Sequence, residues 1–157
     1  MASDIIGVEH RCNSEGDTSR LAQALAQVVS LGTVIALNGD LGTGKTVFAR
    51  ALCRAWGVPV DVPITSPTFA VVNTYEGRFP IHHFDVYRLS DIDELEAVGF
   101  RDFVGPDAMA IVEWAEQVKS ALPAKHIEVS IRDGVAAHQR MIVISQRGIG
   151  TQEAVER

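Results

Sequence analysis

Residues 39–46 read Gly-Asp-Leu-Gly-Thr-Gly-Lys-Thr, a complete G-x-x-x-x-G-K-[ST] pattern. Each position has a use in holding a polyphosphate. Glycines let the backbone close around an anion with several N–H groups turned inward. Lys45 reaches toward β- and γ-phosphates, and the Thr46 hydroxyl can ligate Mg²⁺. A helix starting here directs its positive dipole end at the same anion. The expected nucleotide contact is therefore Gly39, Asp40, Leu41, Gly42, Thr43, Gly44, Lys45 and Thr46, with Val47 directly behind.

Hydrolysis at such a loop also needs acids near the cation, at the carboxyl end of a neighbouring strand. Two positions qualify. Glu113 follows the apolar run Met109–Val112, and Asp85 closes the more polar run Ile81-His82-His83-Phe84. Each also fits an ordinary surface acid at a strand end. Ser66 and Thr68 flank Pro67 in a proline-rich stretch, where phosphate-loop proteins place nucleotide-sensing segments. Turn chemistry accounts for the same hydroxyls equally well.

Other polar groups carry less. Adjacent strand residues point to opposite faces, so only His83 shares a face with Asp85, and two ligands are too few for structural zinc. Trp114 reads as a core-edge aromatic or a base platform. Asp91, Asp93, Glu94 and Glu96 form an acidic helix face, either solvated or a docking surface. No nucleophile elbow and no recognisable Ser/His/Asp spacing occur.

The elements that must position these groups follow from periodicity. Thr33–Leu37 is a short apolar run suited to a buried strand before the loop. Lys45–Trp56 reads as the helix after it, with Phe48, Leu52 and Ala55 on one face and Gly57 as the stop. Upstream, residues 4–11 suggest a strand, and 18–30 an amphipathic helix capped by Asp17 or Thr18. Pro59, Pro63 and Pro67 make 57–68 irregular. Ala70–Tyr75 and Phe79–Val86 form a hairpin pattern across Glu76-Gly77-Arg78. A short helix carries Ile92, Leu95 and Val98, capped by Ser90 or Asp91 and stopped by Gly99. Ala108–Val112 is a strand, 114–121 a brief helix, and 126–132 and 140–146 are strand-like. Interleaved strands and helices imply a mainly parallel α/β sheet with some antiparallel strands.

A chain of 157 residues with 46% hydrophobic and 22% charged residues suits one soluble domain, spanning 1–147 with a polar tail at 148–157. The net charge of −6 argues against a broad nucleic-acid-binding surface. Cys12 and Cys53 lie far apart in no metal spacing, as in a reduced intracellular chain. The first residues lack a basic, apolar leader, and no run approaches a membrane span; a cytoplasmic location is expected.

Longer blocks carry a resemblance. Leu37–Thr46 is followed by Thr65-Ser66-Pro67-Thr68-Phe69, Asn73-Thr74-Tyr75-Glu76-Gly77, His83-Phe84-Asp85-Val86-Tyr87-Arg88-Leu89 and Ile111-Val112-Glu113-Trp114. In order and spacing these closely resemble the TsaE (YjeE) family over about residues 15–147. That family comprises bacterial ATPases required to make threonylcarbamoyladenosine (t6A) beside the anticodon of certain tRNAs. The resemblance implies a P-loop NTPase-like three-layer α/β domain with a mixed, mainly parallel sheet plus antiparallel strands. It implies hydrolysis of ATP with Mg²⁺, and action with TsaD and TsaB; direct tRNA contact is left open, and no membrane is involved. It implies that Lys45 is the phosphate clamp, Thr46 the magnesium ligand and Glu113 a metal-site acid. Asp85 becomes a base or water-orienting acid, Ser66 and Thr68 a switch-like loop, and Trp114 and Thr18 neighbours of the nucleotide. Ala115 stands where the family often has Pro, and Ala22 where Gly is common. The chain shows no arginine finger, which implies slow hydrolysis without partners, and Arg88 is a candidate docking residue. Two rival readings share the loop: a small-molecule kinase, and a nucleotide-gated binding module whose hydrolysis is incidental.

Overall fold

The computed structural model describes residues 2–148 apart from Leu41 and Thr68. Residues 149–157 of the polar tail, Leu41 of the loop and Thr68 of the proline-rich segment therefore lie outside the described residues. In chain order the elements are α1 (Ala2–Ile5), β1 (Glu9–Cys12), α2 (Glu15–Val28), β2 (Val34–Asn38) and α3 (Lys45–Ala55). Then come β3 (Val72–Glu76), β4 (Pro80–Asp85), α4 (Ile92–Ala97), α5 (Phe100–Phe103), β5 (Met109–Glu113), a 3-10 helix (Ala115–Ala121), β6 (His126–Asp133) and β7 (Arg140–Arg147).

The strands form one seven-stranded sheet in the order β1-β7-β6-β2-β5-β4-β3. The central run β6-β2-β5-β4 is parallel, and antiparallel pairs complete both edges. Every residue of β2 from Val34 to Leu37 is buried, because helices cover both faces of the sheet centre. Strand alternation divides the core. Ile35 and Leu37 join Leu25, Phe48, Leu52 and Trp56 beneath α2 and α3. Val34 and Ala36 join Phe84, Leu95, Phe100 and Val118 on the opposite face. The Trp56 indole N–H donates to the Ala26 carbonyl at 3.2 Å, tying α3 to α2.

Local chemistry moves several expected boundaries. The segment 4–11 is not one strand: Gly7 turns the chain at φ 84°, and Ile5 and Ile6 pack on the core ahead of β1. Helix α2 begins earlier than the apolar spacing suggests. Its cap is Ser14, whose hydroxyl accepts from the Asp17 N–H at 3.1 Å, while Asp17 accepts from the Asn13 N–H at 2.9 Å. This is close to a capping box, displaced by one residue. Asp91 caps α4, accepting from the Glu94 N–H at 3.1 Å. Strand β3 starts only at Val72 because Val71 sits at φ 70°, a left-handed conformation costly for a β-branched residue.

Both cysteines are free and buried, and burial pushes the Cys53 thiol up to about 12. Among the described residues no helix is long and apolar enough to cross a membrane.

Phe48 is fully buried between α3 and the sheet. Phe48→Ala should destabilise the fold by about 3–5 kcal/mol, read by urea denaturation followed by circular dichroism.

Candidate nucleotide-binding site

Strand register builds the site. β2 and β5 pair in parallel with Leu37 opposite Glu113, and β5 and β4 pair with Glu113 opposite Asp85. The carboxyl ends of three adjacent strands thus bring together the start of the loop, Glu113 and Asp85. Ligand sites of open α/β sheets form at such strand ends. Gly39 turns away from β2 under tight constraint. A Cβ there would lie 2.6 Å from the Ile131 carbonyl oxygen and 2.7 Å from the Thr43 hydroxyl, so only glycine fits. Gly44 takes φ 100° at the N-cap of α3.

Lys45 is 5% exposed. Its ammonium donates to the carbonyls of Gly39 at 2.5 Å and Asp40 at 2.8 Å, and lies 3.9 Å from the centre of the Trp114 ring. Burial lowers the lysine's pKa, and the nearby Glu113 charge opposes that shift. Trp114 is held at φ 63°, and its ring centre lies 4.6 Å from that of Tyr87.

The helix start and β5 share a second cluster. Thr46 and Ser66 hydroxyl oxygens stand 2.6 Å apart. Ser66 donates to Glu113 Oε2 at 2.9 Å, and Thr46 donates to Oε1 over 3.4 Å. The buried His83 ring brings Nε2 within 2.5 Å of the same Oε2. Ser66, on the proline-rich segment, therefore joins Thr46 and Glu113. His82, on the opposite face of β4, instead meets Thr74 at 2.8 Å and packs edge-on against Phe103.

Asp85 is half-buried and accepts the Tyr87 N–H at 3.0 Å. Desolvation raises its pKa against that hydrogen bond, and the Glu113 charge adds to the rise. Asp85 and Lys45 face a cavity of about 660 Å³, a size suited to a nucleotide. Gly42, Thr43, Gly44, Thr46 and Val47 form its phosphate-loop wall, with Ser66, Glu113 and Trp114 alongside. Thr18 lines the far wall with Asn13, Ser14 and Glu15, so the segment capping α2 also borders the cavity. Gly39 and Asp40 enter through the carbonyls that hold Lys45.

Two residues given no role by sequence reasoning stand out. His83 supports Glu113, and Arg140 reaches from β7 to the loop, donating to the carbonyls of Thr43 at 3.0 Å and Gly42 at 3.2 Å. The Ser14-x-x-Asp17 cap was readable as a helix start, but nothing local marks Arg140, which lies 97 residues from Thr43. The donor set suits a hard cation: hydroxyls of Thr46 and Ser66 with one carboxylate from Glu113. Magnesium is typically held by one or two carboxylates, water and substrate phosphates. Among the described residues no group of three or more His, Cys, Asp and Glu side chains forms a self-sufficient metal cage.

A raised carboxyl pKa means that ionised Asp85 costs stability above the range where aspartates titrate, and that cost fades as pH falls. Asp85→Asn keeps an acceptor for the Tyr87 N–H and should raise the Tm at pH 7. The gain should shrink toward pH 3, as followed by thermal melts across pH.

Comparison with known proteins places the chain in a family. Residues 12–142 match the family model described as "Threonylcarbamoyl adenosine biosynthesis protein TsaE". A Treponema pallidum protein named "tRNA threonylcarbamoyladenosine biosynthesis protein TsaE" is 36% identical over 124 residues, 78% of this chain and 90% of that relative. A protein of the same name from Haemophilus influenzae is 37% identical over 119 residues, 74% of this chain and 73% of the relative. The crystal structure of YdiB from Bacillus subtilis superposes with a TM-score of 0.68 at 27% identity, covering 94% of this chain and 89% of that one. With the family model matched across most of its length, and relatives this similar, the chain belongs to the TsaE family.

Proposed function

We propose that this chain is a Mg²⁺-dependent ATPase whose hydrolytic cycle supports t6A modification of tRNA together with TsaD and TsaB. The observation that carries the reading is one cavity wall where Lys45, Thr46, Ser66 and Glu113 converge, with Asp85 beside them. Family membership supplies the tRNA-modification context.

Phosphoryl transfer asks the protein mainly for positioning and charge neutralisation. The Lys45 ammonium exchanges its two carbonyl acceptors for phosphate oxygens when ATP enters the loop. Loop N–H groups and the start of α3 cradle the same phosphates. Thr46 and Glu113 would hold Mg²⁺, and Ser66 adds a third oxygen within the cluster. Bound Mg²⁺ supplies neutralisation of the charge on the transferring phosphoryl group. Asp85 borders the cavity and orients the attacking water as its proton is lost; desolvation raises its pKa and makes it a stronger base than a solvated aspartate.

The arginines near the site already have partners in the protein. Arg140 spends donors on loop carbonyls, and Arg88 lies 4.7 Å from the centre of the exposed Phe69 ring. Hydrolysis by the isolated protein is accordingly slow, and the TsaD–TsaB pair completes the catalytic arrangement. Phe69 is 84% exposed and Tyr87 46%, an apolar surface beside the cavity for such a partner.

Phosphate release from Mg·ATP, with and without purified TsaD–TsaB, tests the reading. The pair should stimulate release, and Lys45→Ala should lower the stimulated rate by about 100- to 1000-fold. Tight ATP binding with no release in the presence of the pair would contradict it. Transfer of phosphate to a metabolite would point to the kinase reading.

A further inference from the structure

We propose that His83 is a positioning residue that fixes the Glu113 carboxylate in the orientation needed to meet a nucleotide-bound divalent cation. The inference rests on the ATPase reading above, in which Glu113 is a cation ligand. Four observations lead to it.

His83 lies on the same face of β4 as Asp85, but deeper in the fold: it is 0% exposed, whereas Asp85 borders the cavity. From there the ring holds Nε2 at 2.5 Å from Glu113 Oε2. Oε2 also accepts from Ser66 at 2.9 Å, whereas among the described residues Oε1 has only the long 3.4 Å contact with Thr46. The two oxygens are thus differentiated. Oε2 is engaged by His83 and the Ser66 hydroxyl, and Oε1 is turned toward Thr46 at the helix start.

The other ring nitrogen adds weight. His83 Nδ1 is buried and has no hydrogen-bond partner among the described residues. A stranded buried polar atom costs stability, and an apolar side chain at 83 would avoid that cost. Neighbouring Ile81, on the same face, shows that an aliphatic residue suits this side of the strand. The ring therefore serves through Nε2, whose N–H faces the acceptor-only carboxylate. Groups that orient a metal-site carboxylate in this way commonly change metal affinity 10- to 100-fold when removed.

This predicts which substitutions are tolerated. Glutamine sets an amide N–H near the place of Nε2 and has no counterpart of Nδ1. Asparagine sets its amide near Nδ1, short of Glu113. Phenylalanine keeps the ring volume and lacks any donor.

The test is calorimetric titration of ADP into the full chain, in EDTA and across a Mg²⁺ series. Wild type, His83→Gln, His83→Asn and His83→Phe are compared, with a thermal melt of each. In EDTA all variants should bind ADP within about twofold of wild type. The Mg²⁺ concentration giving half-maximal enhancement should rise about tenfold or more in His83→Asn and His83→Phe. His83→Gln should stay within about threefold of wild type. Wild-type Mg²⁺ dependence in Asn and Phe variants that remain folded would overturn the proposal. So would a His83→Gln variant that folds but fails as badly as His83→Asn, or a loss of ADP binding in EDTA matching a fall in Tm, since either marks His83 as merely structural. Wild-type ADP binding that ignores Mg²⁺ would instead remove Glu113 as a cation ligand, so the ATPase reading would fail first and take this inference with it.

Discussion

A carboxylate that is 2% exposed, as Glu113 is, has almost no water to stabilise its charge and must be met by donors from the protein or by a cation. Much of the architecture around the cavity meets that requirement. β5 ends at Glu113, so the sheet carries the carboxylate to the level where β2 gives way to the phosphate loop. α3 begins beside it, so that Thr46 faces the carboxylate from the helix start. The proline-rich segment returns to the sheet at Ser66, and β4 supplies His83 from below. Thr46, Ser66, His83 and Glu113 come from separate parts of the chain, and the need to satisfy one buried charge brings them together.

Lys45 follows the same logic with opposite sign. Its ammonium is nearly buried and rests on two loop carbonyls and the face of Trp114. These contacts hold a nearly buried cation without neutralising it, which leaves the charge available to an entering anion. Two left-handed residues border this region: Trp114 directly after Glu113, and Val71 ahead of β3. Backbone strain of this kind costs on the order of 1–3 kcal/mol at each residue and persists where surrounding structure imposes it. At Trp114 the strain sets the ring over Lys45.

The sequence disclosed the loop because its chemistry is local: glycines, lysine and threonine act within eight consecutive residues. It disclosed the parallel centre of the sheet because Val34–Leu37 of β2 and Met109–Val112 of β5 are buried apolar runs. Glu113 and Asp85 were legible as acids at strand ends, and register places them opposite each other. What escaped was set by distance along the chain. His83 and Glu113 are 30 residues apart, and their contact exists only through the pairing of β4 with β5. Arg140 reaches the loop from the far hairpin for the same reason. The first residues misled because Ile5 and Ile6 form a short apolar run, which period alone cannot separate from a strand when Gly7 bends the chain. Helix α5, four residues long, is too short to leave a periodic signal.

The central claim is that the loop, Lys45 and the Glu113 cluster form the phosphate end of an ATP site. A crystal structure of the protein with Mg²⁺ and a non-hydrolysable ATP analogue tests it most directly. The account predicts phosphates seated in residues 39–46, Lys45 released from the Gly39 and Asp40 carbonyls onto phosphate oxygens, and a cation beside Thr46 and Glu113. A nucleotide bound elsewhere, or a phosphate-filled loop with Lys45 still on its carbonyls and no cation near Glu113, would contradict it.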